Sequence, residues 1–548
     1  MNARRRTIGF WGVRLAVAAW LVVLPTAWAA ARTAAADSSA APAYDPKRIE
    51  QLIGQLGNPQ YSVRQRAQEE LARFGFAAFE ALSEASNHSD FEIASRARYL
   101  LRLIRSQWAG DKDPPEAQKL LEGYELLGTN ERAWRIGRLV RLPRCGGIPV
   151  VCRLIRFEKS EMLAAHAALE ILYHDPVDRP AWAKLVPLLR ENLAGSQRRP
   201  AVWLLTYAAL RENPGEALEK WSKLVAEEQQ LLRTSPERTV RGAAAMLTYL
   251  LAEAYARAGQ PDKAEETAAQ ARQLGGTAEP GLVRARLQVA LALRRRGRHA
   301  WAEAEYRLVA DKGAIVDRVA SLVYLSEMLH DRGESLRAAE TRRAGFNALQ
   351  GLAPAVREQV KESLLVYGID AADIAARMHY FEACHWRQQG DLAKHRQFLN
   401  EAILANSAEI DTLIALAKLP DQTDAEREKT RRLIDKAVLM LRRDIEESPE
   451  DATAYNQAAW LMGNTHKDLD EALRLATKAN ELSPDNGAYL DTLAHVYFAR
   501  GDLDNAIRFQ ERAVEVEPHS AQIANALKAF RTAAEERSKG RGAPRAEK

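Results

Sequence analysis

Apolar residues recur at helical spacing through most of the chain, and in residues 455–518 the whole pattern repeats after 34 residues. The matched pairs are Tyr455 with Tyr489, Ala472 with Ala506, Ala479 with Ala513, and Pro484 with Pro518. A fixed period of this length is typical of an α-solenoid, in which each helical hairpin buries its apolar face against its neighbours. The pattern therefore predicts a repeat scaffold that offers an extended surface to another molecule.

The second copy has the clearer hairpin. Its first helix carries Leu490, Leu493, Ala494 and Tyr497, its turn is Gly501-Asp502, and its second helix carries Leu503, Ala506, Ala513, Val514 and Val516. Gly501 accommodates the left-handed conformation that ends a helix, and Pro518 cannot continue one. Small residues at these offsets, a turn glycine and a final proline resemble the tetratricopeptide repeat. Leu490 and Gln510 depart from it, because the family often has tryptophan at the first position and a large apolar residue at the second.

The resemblance implies an all-α fold, a right-handed α-solenoid of helical hairpins. Weaker copies with the same turn glycine lie in residues 251–271, 289–306, 322–338 and 383–402. Near the N-terminus, shorter helices broken at Asn58-Pro59 and Ser89-Asp90 resemble HEAT-type repeats instead. The scarcity of strand-like alternation agrees with an entirely helical chain.

These patterns predict eight segments. They are a signal peptide or membrane anchor (1–36), a linker (37–46), HEAT-like repeats (47–107), a poorly defined helical connector (108–179), a degenerate tetratricopeptide-like array (180–449), a tetratricopeptide pair (450–519), a capping helix (520–536) and a disordered basic tail (537–548).

The first 36 residues have the features of an export signal. Arg4-Arg5-Arg6 precedes an apolar run, and Ala27-Trp28-Ala29 forms a small-x-small cleavage site. The alternative is an uncleaved anchor, but residues 15–31 are short for a membrane-spanning helix and contain Pro25. We favour cleavage and predict a periplasmic or cell-envelope protein, with membrane contact only through an uncleaved N-terminal segment.

Charge argues against nucleic acid as a partner. The chain has 78 Lys and Arg against 73 Asp and Glu, and residues 1–36 hold five arginines and no acid. The remainder therefore has 73 residues of each sign and a formal charge of zero. Nucleic-acid binding normally requires a basic footprint, which this balance does not supply.

Three cysteines do not make a disulfide framework. Cys145 and Cys152 bracket a short loop and are either one disulfide formed after export or two ordinary thiols. Cys384 lies within a predicted helix and has no evident partner in the sequence.

The common catalytic motifs are missing from the sequence, so we predict neither an enzyme nor a cofactor. The alternative is a metal site or enzyme built on two Glu-x-x-His motifs, Glu327/His330 and Glu382/His385, the second of which includes Cys384. Counted against the hairpin pattern, Glu327 lies two positions later in its helix than Glu382, so the two motifs are expected to face different ways. His379, Cys384, His385 and His395 form a second group of ligand types, which we interpret as packing residues because the spacing is unlike that of zinc sites.

A protein or peptide partner is the better functional hypothesis. The tetratricopeptide resemblance implies binding along the concave face formed by the first helix of each hairpin. In the C-terminal pair this implies contact through Asn456, Trp460, Asn464, Asp491, His495 and Phe498. Aromatic and amide side chains suit a partly apolar peptide, whereas the basic clamp of some family members is not expected, since Lys and Arg are missing there. The alternative is that Trp460 and Phe498 only pack against a neighbouring hairpin or the C-terminal helix.

Overall fold

The computed structural model describes residues 46–106, 108–110, 112–174, 179–274, 280–484 and 486–542. The chain forms two compact units, Met1–Arg105 and Ser106–Lys548. All regular structure in the described ranges is helical, which confirms the predicted all-α class. None of these helices has the length and hydropathy needed to cross a bilayer. The predicted export signal and almost all of the predicted linker lie outside the described residues.

The described part of the first unit, from residue 46 onward, contains four α-helices. They are α1 (Pro46–Gln55), α2 (Tyr61–Phe74), α3 (Phe79–Ala85) and α4 (Phe91–Ser106). The break predicted at Asn58 falls between α1 and α2, where the Asn58 side chain accepts a hydrogen bond from the Gln60 backbone N–H at 2.9 Å. Leu52, Leu71 and Leu82 are fully buried between the helices, so the short helices share one small core.

The second unit continues with 23 further α-helices in the described ranges. They are α5 (Pro115–Leu121), α6 (Thr129–Val140), α7 (Ile148–Phe157), α8 (Glu161–Tyr173), α9 (Arg179–Leu193), α10 (Arg199–Glu212), α11 (Pro214–Thr234), α12 (Ala243–Arg257), α13 (Pro261–Gln273), α14 (Pro280–Arg295), α15 (His299–Lys312), α16 (Ile315–Asp331), α17 (Ser335–Gln350), α18 (Pro354–Leu364), α19 (Ala371–Gln388), α20 (Leu392–Ala405), α21 (Ile410–Ala417), α22 (Asp424–Glu447), α23 (Ala452–Asn464), α24 (Leu469–Leu482), α25 (Gly487–Ala499), α26 (Leu503–Val516) and α27 (Ala521–Gly542). Most pack against the next helix along the chain, as expected for a solenoid.

One turn recurs through this array. Gly259, Gly297, Gly333, Gly390 and Gly501 all have φ between 70° and 80°, and in each case the next helix begins two residues later. Glycine adopts this left-handed conformation without a steric penalty, which explains why the sequence has it at each of these turns. The weaker copies identified in the sequence therefore share the backbone turn of the C-terminal hairpin.

Close helix packing in the C-terminal pair follows from small residues. Ala459 on α23, Ala472 on α24 and Ala506 on α26 are fully buried. Gln510, which departs from the expected repeat pattern, is also fully buried. Its side-chain N–H donates to Asp491 Oδ1 at 2.5 Å and to the Ile523 carbonyl at 3.0 Å. Gln510 thus replaces an apolar contact with hydrogen bonds to α25 and to the C-terminal helix.

The C-terminal helix is longer than predicted. α27 runs to Gly542, so residues 537–542 are helical and the prediction of a disordered tail from residue 537 is wrong for them. Arg537 donates from Nη1 to the Gly501 carbonyl at 2.9 Å, which anchors the helix beyond its apolar part. Phe530 is buried and holds the earlier helical turns of α27 against the repeats. Residues 543–548 lie outside the described residues.

The segment between α26 and α27 contacts hairpins much earlier in the chain. Ser520 Oγ donates to Asp331 Oδ1, at the end of α16, at 2.9 Å. The His519 ring lies against Gly297, where an added Cβ would be only 2.4 Å from the ring. The C-terminal repeats therefore rest on the α14–α15 turn and on the end of α16.

Alanine at Gly297 is expected to destabilise the protein more than alanine at Gly333. Both glycines have positive φ, which costs a non-glycine residue about 1–2 kcal/mol, but only at Gly297 would the new Cβ meet His519, whereas the space at Gly333 is open. Overpacking adds about 1–3 kcal/mol to the loss in the free energy of unfolding. Thermal unfolding of the two variants measures the difference, and equal midpoints would show that His519 does not press on Gly297.

The sequence left open whether Cys145 and Cys152 form a disulfide or are two ordinary thiols, and the described structure has no bond between them. Cys152 lies within α7 and is fully buried, and burial raises the pKa of its thiol to about 12. Cys145 lies in the turn before α7 with φ of 59°. The Cys152 side chain is thus part of the helical core.

Candidate functional site

A groove opens between the middle of the array and the C-terminal pair. We call it the Trp460 groove; its volume is about 320 Å³. It is lined by Tyr380, Arg387, Leu392, His395, Asp411, Ile414, Ala415, Lys418, Leu419, Pro420, Trp460, Asn464 and His495. These residues come from α19, α20, α21 with the segment that follows it, α23 and α25, so five helices that are not all adjacent in sequence contribute to one surface.

Hydrogen bonds fix the polar side chains of the groove. Trp460 donates from Nε1 to Asp411 Oδ1 at 2.9 Å, and Arg377 donates from Nη1 to Asp411 Oδ2 at 2.8 Å. Lys418 Nζ donates to Asn464 Oδ1 at 2.9 Å. Asn464 also donates to the Trp460 carbonyl, one turn earlier on α23. The indole and the amide are therefore held in fixed orientations.

Aromatic contacts join the groove to the C-terminal helix. The rings of Trp460 and His495 meet edge to face with centroids 4.9 Å apart, and His495 meets Phe530 in the same way at 5.0 Å. Phe498 stacks on Phe530 at 4.4 Å. Edge-to-face and stacked pairs are favourable arrangements for aromatic rings, so α27 holds this wall of the groove in place.

Three of the six residues proposed for partner binding line the groove, namely Trp460, Asn464 and His495. Asn456, Asp491 and Phe498 are not among its lining residues. Phe498 packs on the C-terminal helix, as the alternative interpretation expected.

The other two have structural environments of their own. Asp491 accepts the hydrogen bond from Gln510. Asn456 Oδ1 is buried and accepts no hydrogen bond in the described structure. Whether any of the six binds a partner stays a prediction.

Two cations that sequence analysis missed stand at the groove. Arg387 and Lys418 are exposed; Arg387 belongs to α19 and Lys418 directly follows α21, before the C-terminal pair. Burial and the neighbouring Arg387 lower the pKa of Lys418, and Asp411 raises it. The Lys and Arg missing from the pair itself are thus supplied by preceding helices, and no spacing in the sequence connects them to Trp460.

The first Glu-x-x-His motif is occupied by other interactions. Burial raises the pKa of Glu327, but Arg377 and Arg342 more than offset this and bring it to about 2. The His330 ring stacks on Phe381 with centroids 4.5 Å apart. Glu327 therefore serves as an ion-pair partner of two arginines.

The two residues of the second motif, Glu382 and His385, also contact different partners. Glu382 pairs with Arg343 and His379, whereas the His385 ring contacts Trp386. Cys384 is buried, which raises the pKa of its thiol to about 11, and His395 Nδ1 lies 2.8 Å from the Ala383 carbonyl. Within the described residues, the one group of three converging ligand types is His379, Glu382 and Glu401; the sequence analysis did not name Glu401.

Comparison with known proteins identifies the repeats. The family model described as "Tetratricopeptide repeat" matches residues 465–530, which confirms the resemblance for this part of the chain. No curated protein matches the chain.

Two of three similar solved structures carry the same repeat in their names. A tetratricopeptide repeat protein from Parabacteroides merdae is 15% identical over 52% of this chain and 98% of its own, with a TM-score of 0.28. The tetratricopeptide protein YrrB, described as having an unusual peptide-binding site, is 16% identical over 38% of this chain and 91% of its own, with a TM-score of 0.17. The hetero-tetramer Cut9–Hcn1 is 14% identical over 88% of this chain and 95% of that chain, with a TM-score of 0.25.

Proposed function

We propose that this chain is a non-catalytic, exported scaffold that holds a segment of a partner protein in the Trp460 groove. The observation that carries the proposal is the groove itself, in which Trp460, His495 and Asn464 from the repeat pair meet residues of three preceding helical elements. Solenoids bind partners along such extended surfaces.

The side chains of the groove favour a segment with mixed chemistry. Trp460 and Ile414 offer apolar surface, and aromatic anchors dominate the energetics of many interfaces. Arg387 and Lys418 add positive charge at exposed positions, where charge contributes mainly to orientation and association rate. An extended peptide with one apolar side chain and one acidic group fits this combination.

The proposal is tested by crosslinking pull-down from intact cells with the full-length chain. The test variant is Trp460→Ala/His495→Ala, and the matched control is Trp134→Ala, which removes an exposed tryptophan on α6. Capture of a specific partner by the wild type and the control, with loss in the double variant, is expected. The three proteins are first compared by thermal unfolding, so that loss of capture is not loss of fold.

Two other outcomes would contradict parts of the proposal. Equal capture by all three proteins would place binding elsewhere on the scaffold. No specific capture by any of them would argue against a scaffold role in those cells.

Export is a separate part of the proposal and rests on the basic and apolar pattern of residues 1–36. The N-terminal residue of the mature chain tests it. A start near Ala30 or Asp37 is expected after cleavage, whereas an intact N-terminus in the membrane fraction would support the anchor instead.

A further inference from the structure

Three potential ligand atoms converge between α19 and α20, outside the lining of the Trp460 groove. His379 Nδ1 lies 3.0 Å from Glu382 Oε2 and 3.2 Å from Glu401 Oε2. Glu382 is one turn after His379 on α19, and Glu401 faces them from α20. The three ligand atoms all lie within 4.8 Å of one another.

This spacing is close to that of a tetrahedral metal site. Zinc binds imidazole nitrogen and carboxylate oxygen at about 2.0–2.2 Å. Tetrahedral geometry then places neighbouring ligand atoms roughly 3.3–3.5 Å apart for those bond lengths. The two separations from His379 Nδ1 are within a few tenths of an ångström of this value, and the separation between the two carboxylate oxygens is at most 4.8 Å, so a cation needs shifts of about an ångström or less in these side chains.

The other carboxylate oxygens are already held by donors. Glu382 Oε1 accepts a hydrogen bond from Arg343, and Glu401 Oε1 accepts one from Gln397 Nε2 at 2.9 Å. Both glutamates therefore direct Oε2 toward His379. Donors that orient the ligands from outside in this way are a regular feature of metal sites.

The His379 ring is also held in place. It stacks on Phe398 of α20, with ring centroids 6.3 Å apart and an angle of 21° between the planes. Without a metal, the single proton on Nδ1 would have to serve two carboxylate oxygens. A divalent cation satisfies the nitrogen and both oxygens at once.

We propose that His379, Glu382 and Glu401 form a binding site for a divalent transition metal, with Zn²⁺ the ion that fits best. Imidazole nitrogen is a good ligand for zinc and a poor one for Mg²⁺ and Ca²⁺, which prefer oxygen. Three protein ligands leave the fourth position for water or for a side chain of a partner. The bound ion would tie α19 to α20, both of which contribute residues to the Trp460 groove.

Isothermal titration of the purified, tag-free full-length chain with ZnCl₂ tests this proposal. One equivalent of Zn²⁺ is expected to bind and to raise the midpoint of thermal unfolding, because the ion binds the folded state alone. MgCl₂ and CaCl₂ at the same concentrations are expected to leave that midpoint unchanged.

Variants locate the ion. His379→Ala and Glu401→Gln are each expected to weaken Zn²⁺ binding at least tenfold, since changes even outside the first ligand shell have effects of about 10–100-fold. The matched control is His385→Ala, six residues later on α19, which is expected to bind as the wild type does. Glu401→Gln is nearly isosteric, so it keeps the test valid if His379→Ala does not fold.

Either of two results would overturn the proposal. The first is that the wild type shows no saturable Zn²⁺ binding. The second is that both site variants bind Zn²⁺ with the affinity of the wild type, which would place the ion elsewhere.

Discussion

Replacing Arg377 with methionine is expected to lower the free energy of unfolding by about 3–5 kcal/mol, because the change leaves three carboxylates without their shared partner. Arg377 donates to both oxygens of Glu327 at 2.8 Å, and from Nη1 to Glu409 at 3.0 Å and to Asp411 at 2.8 Å. The contact with Glu327 joins α19 to α16. The contacts with Glu409 and Asp411 join α19 to the start of α21. Methionine keeps much of the length of the side chain, so the loss reports mainly on charge and hydrogen bonding.

The matched control is Arg431→Met on α22. Arg431 pairs with Glu428 at 2.8 Å, but its side chain is 64% exposed, and exposed pairs contribute about 0–1 kcal/mol. Chemical denaturation of both variants measures the difference. A loss at Arg377 as small as that at Arg431 would mean that solvent replaces these partly buried ion pairs.

Acid is expected to weaken the same network in the wild type. The pKa of Glu327 is about 2 in the folded chain against an ordinary value of 4.5. A folded-state pKa below the unfolded value stabilises the fold above about pH 4.5, and this contribution is lost as the pH falls toward 2. Burial raises the pKa of Glu409 despite Arg377. Glu409 therefore has the opposite effect: it lowers the stability of the fold, and it does so as the pH rises above 4.5.

Comparison of unfolding midpoints between pH 5 and pH 2.5 tests this. The wild type is expected to lose more stability over that range than Arg377→Met, because the variant no longer lowers the pKa of Glu327 through Arg377. Parallel pH profiles for the two proteins would contradict the role given to this ion pair.

The repeat architecture was predictable because it depends on residues that are close together in sequence and recur at a fixed spacing. A turn glycine such as Gly501 and small residues such as Ala506 have a local physical cause that spacing alone reveals. The helical segment after residue 536 was not predictable in this way. The absence of an apolar face indicated disorder there, whereas the contact of Arg537 with the Gly501 carbonyl depends on the three-dimensional fold.

The candidate groove was predictable only in part for the same reason. Trp460, Asn464 and His495 lie on the first helices of the two hairpins of one repeat pair, so the family resemblance could locate them. Arg387 and Lys418 come from preceding helices whose packing no period specifies. Arg377 holds Asp411, and Asp411 holds Trp460, yet Arg377 and Trp460 are 83 positions apart in sequence. Such a network is set by tertiary packing and leaves no motif.

Replacing Arg286 with methionine is expected to lower the free energy of unfolding by about 3–5 kcal/mol, as is usual when one partner of a buried ion pair is removed. Arg286 and Glu305 are 3% and 0% exposed, and Arg286 Nη1 lies 2.8 Å from both Glu305 oxygens. Tyr249 donates its hydroxyl to Glu305 Oε1 at 2.6 Å. Chemical denaturation of Arg286→Met, Glu305→Leu and the double variant separates the ion pair from its surroundings.

The two single variants are expected to differ in how much they lower the free energy of unfolding. After Glu305→Leu, Arg286 still donates from Nη2 to the backbone carbonyls of Arg272, at 2.7 Å, and Leu274 near the end of α13, so its charge keeps partners and the loss is the smaller of the two. After Arg286→Met, Glu305 keeps only the hydroxyl of Tyr249 among these partners, and the carbonyls lose their donor.

The double variant removes both charges and is expected to be more stable than Arg286→Met alone, but about 1–3 kcal/mol less stable than the wild type, because the carbonyls and the Tyr249 hydroxyl stay unsatisfied. If the losses of the two single variants simply add in the double variant, the pair makes no net contribution and Arg286 acts through the carbonyls of α13 alone.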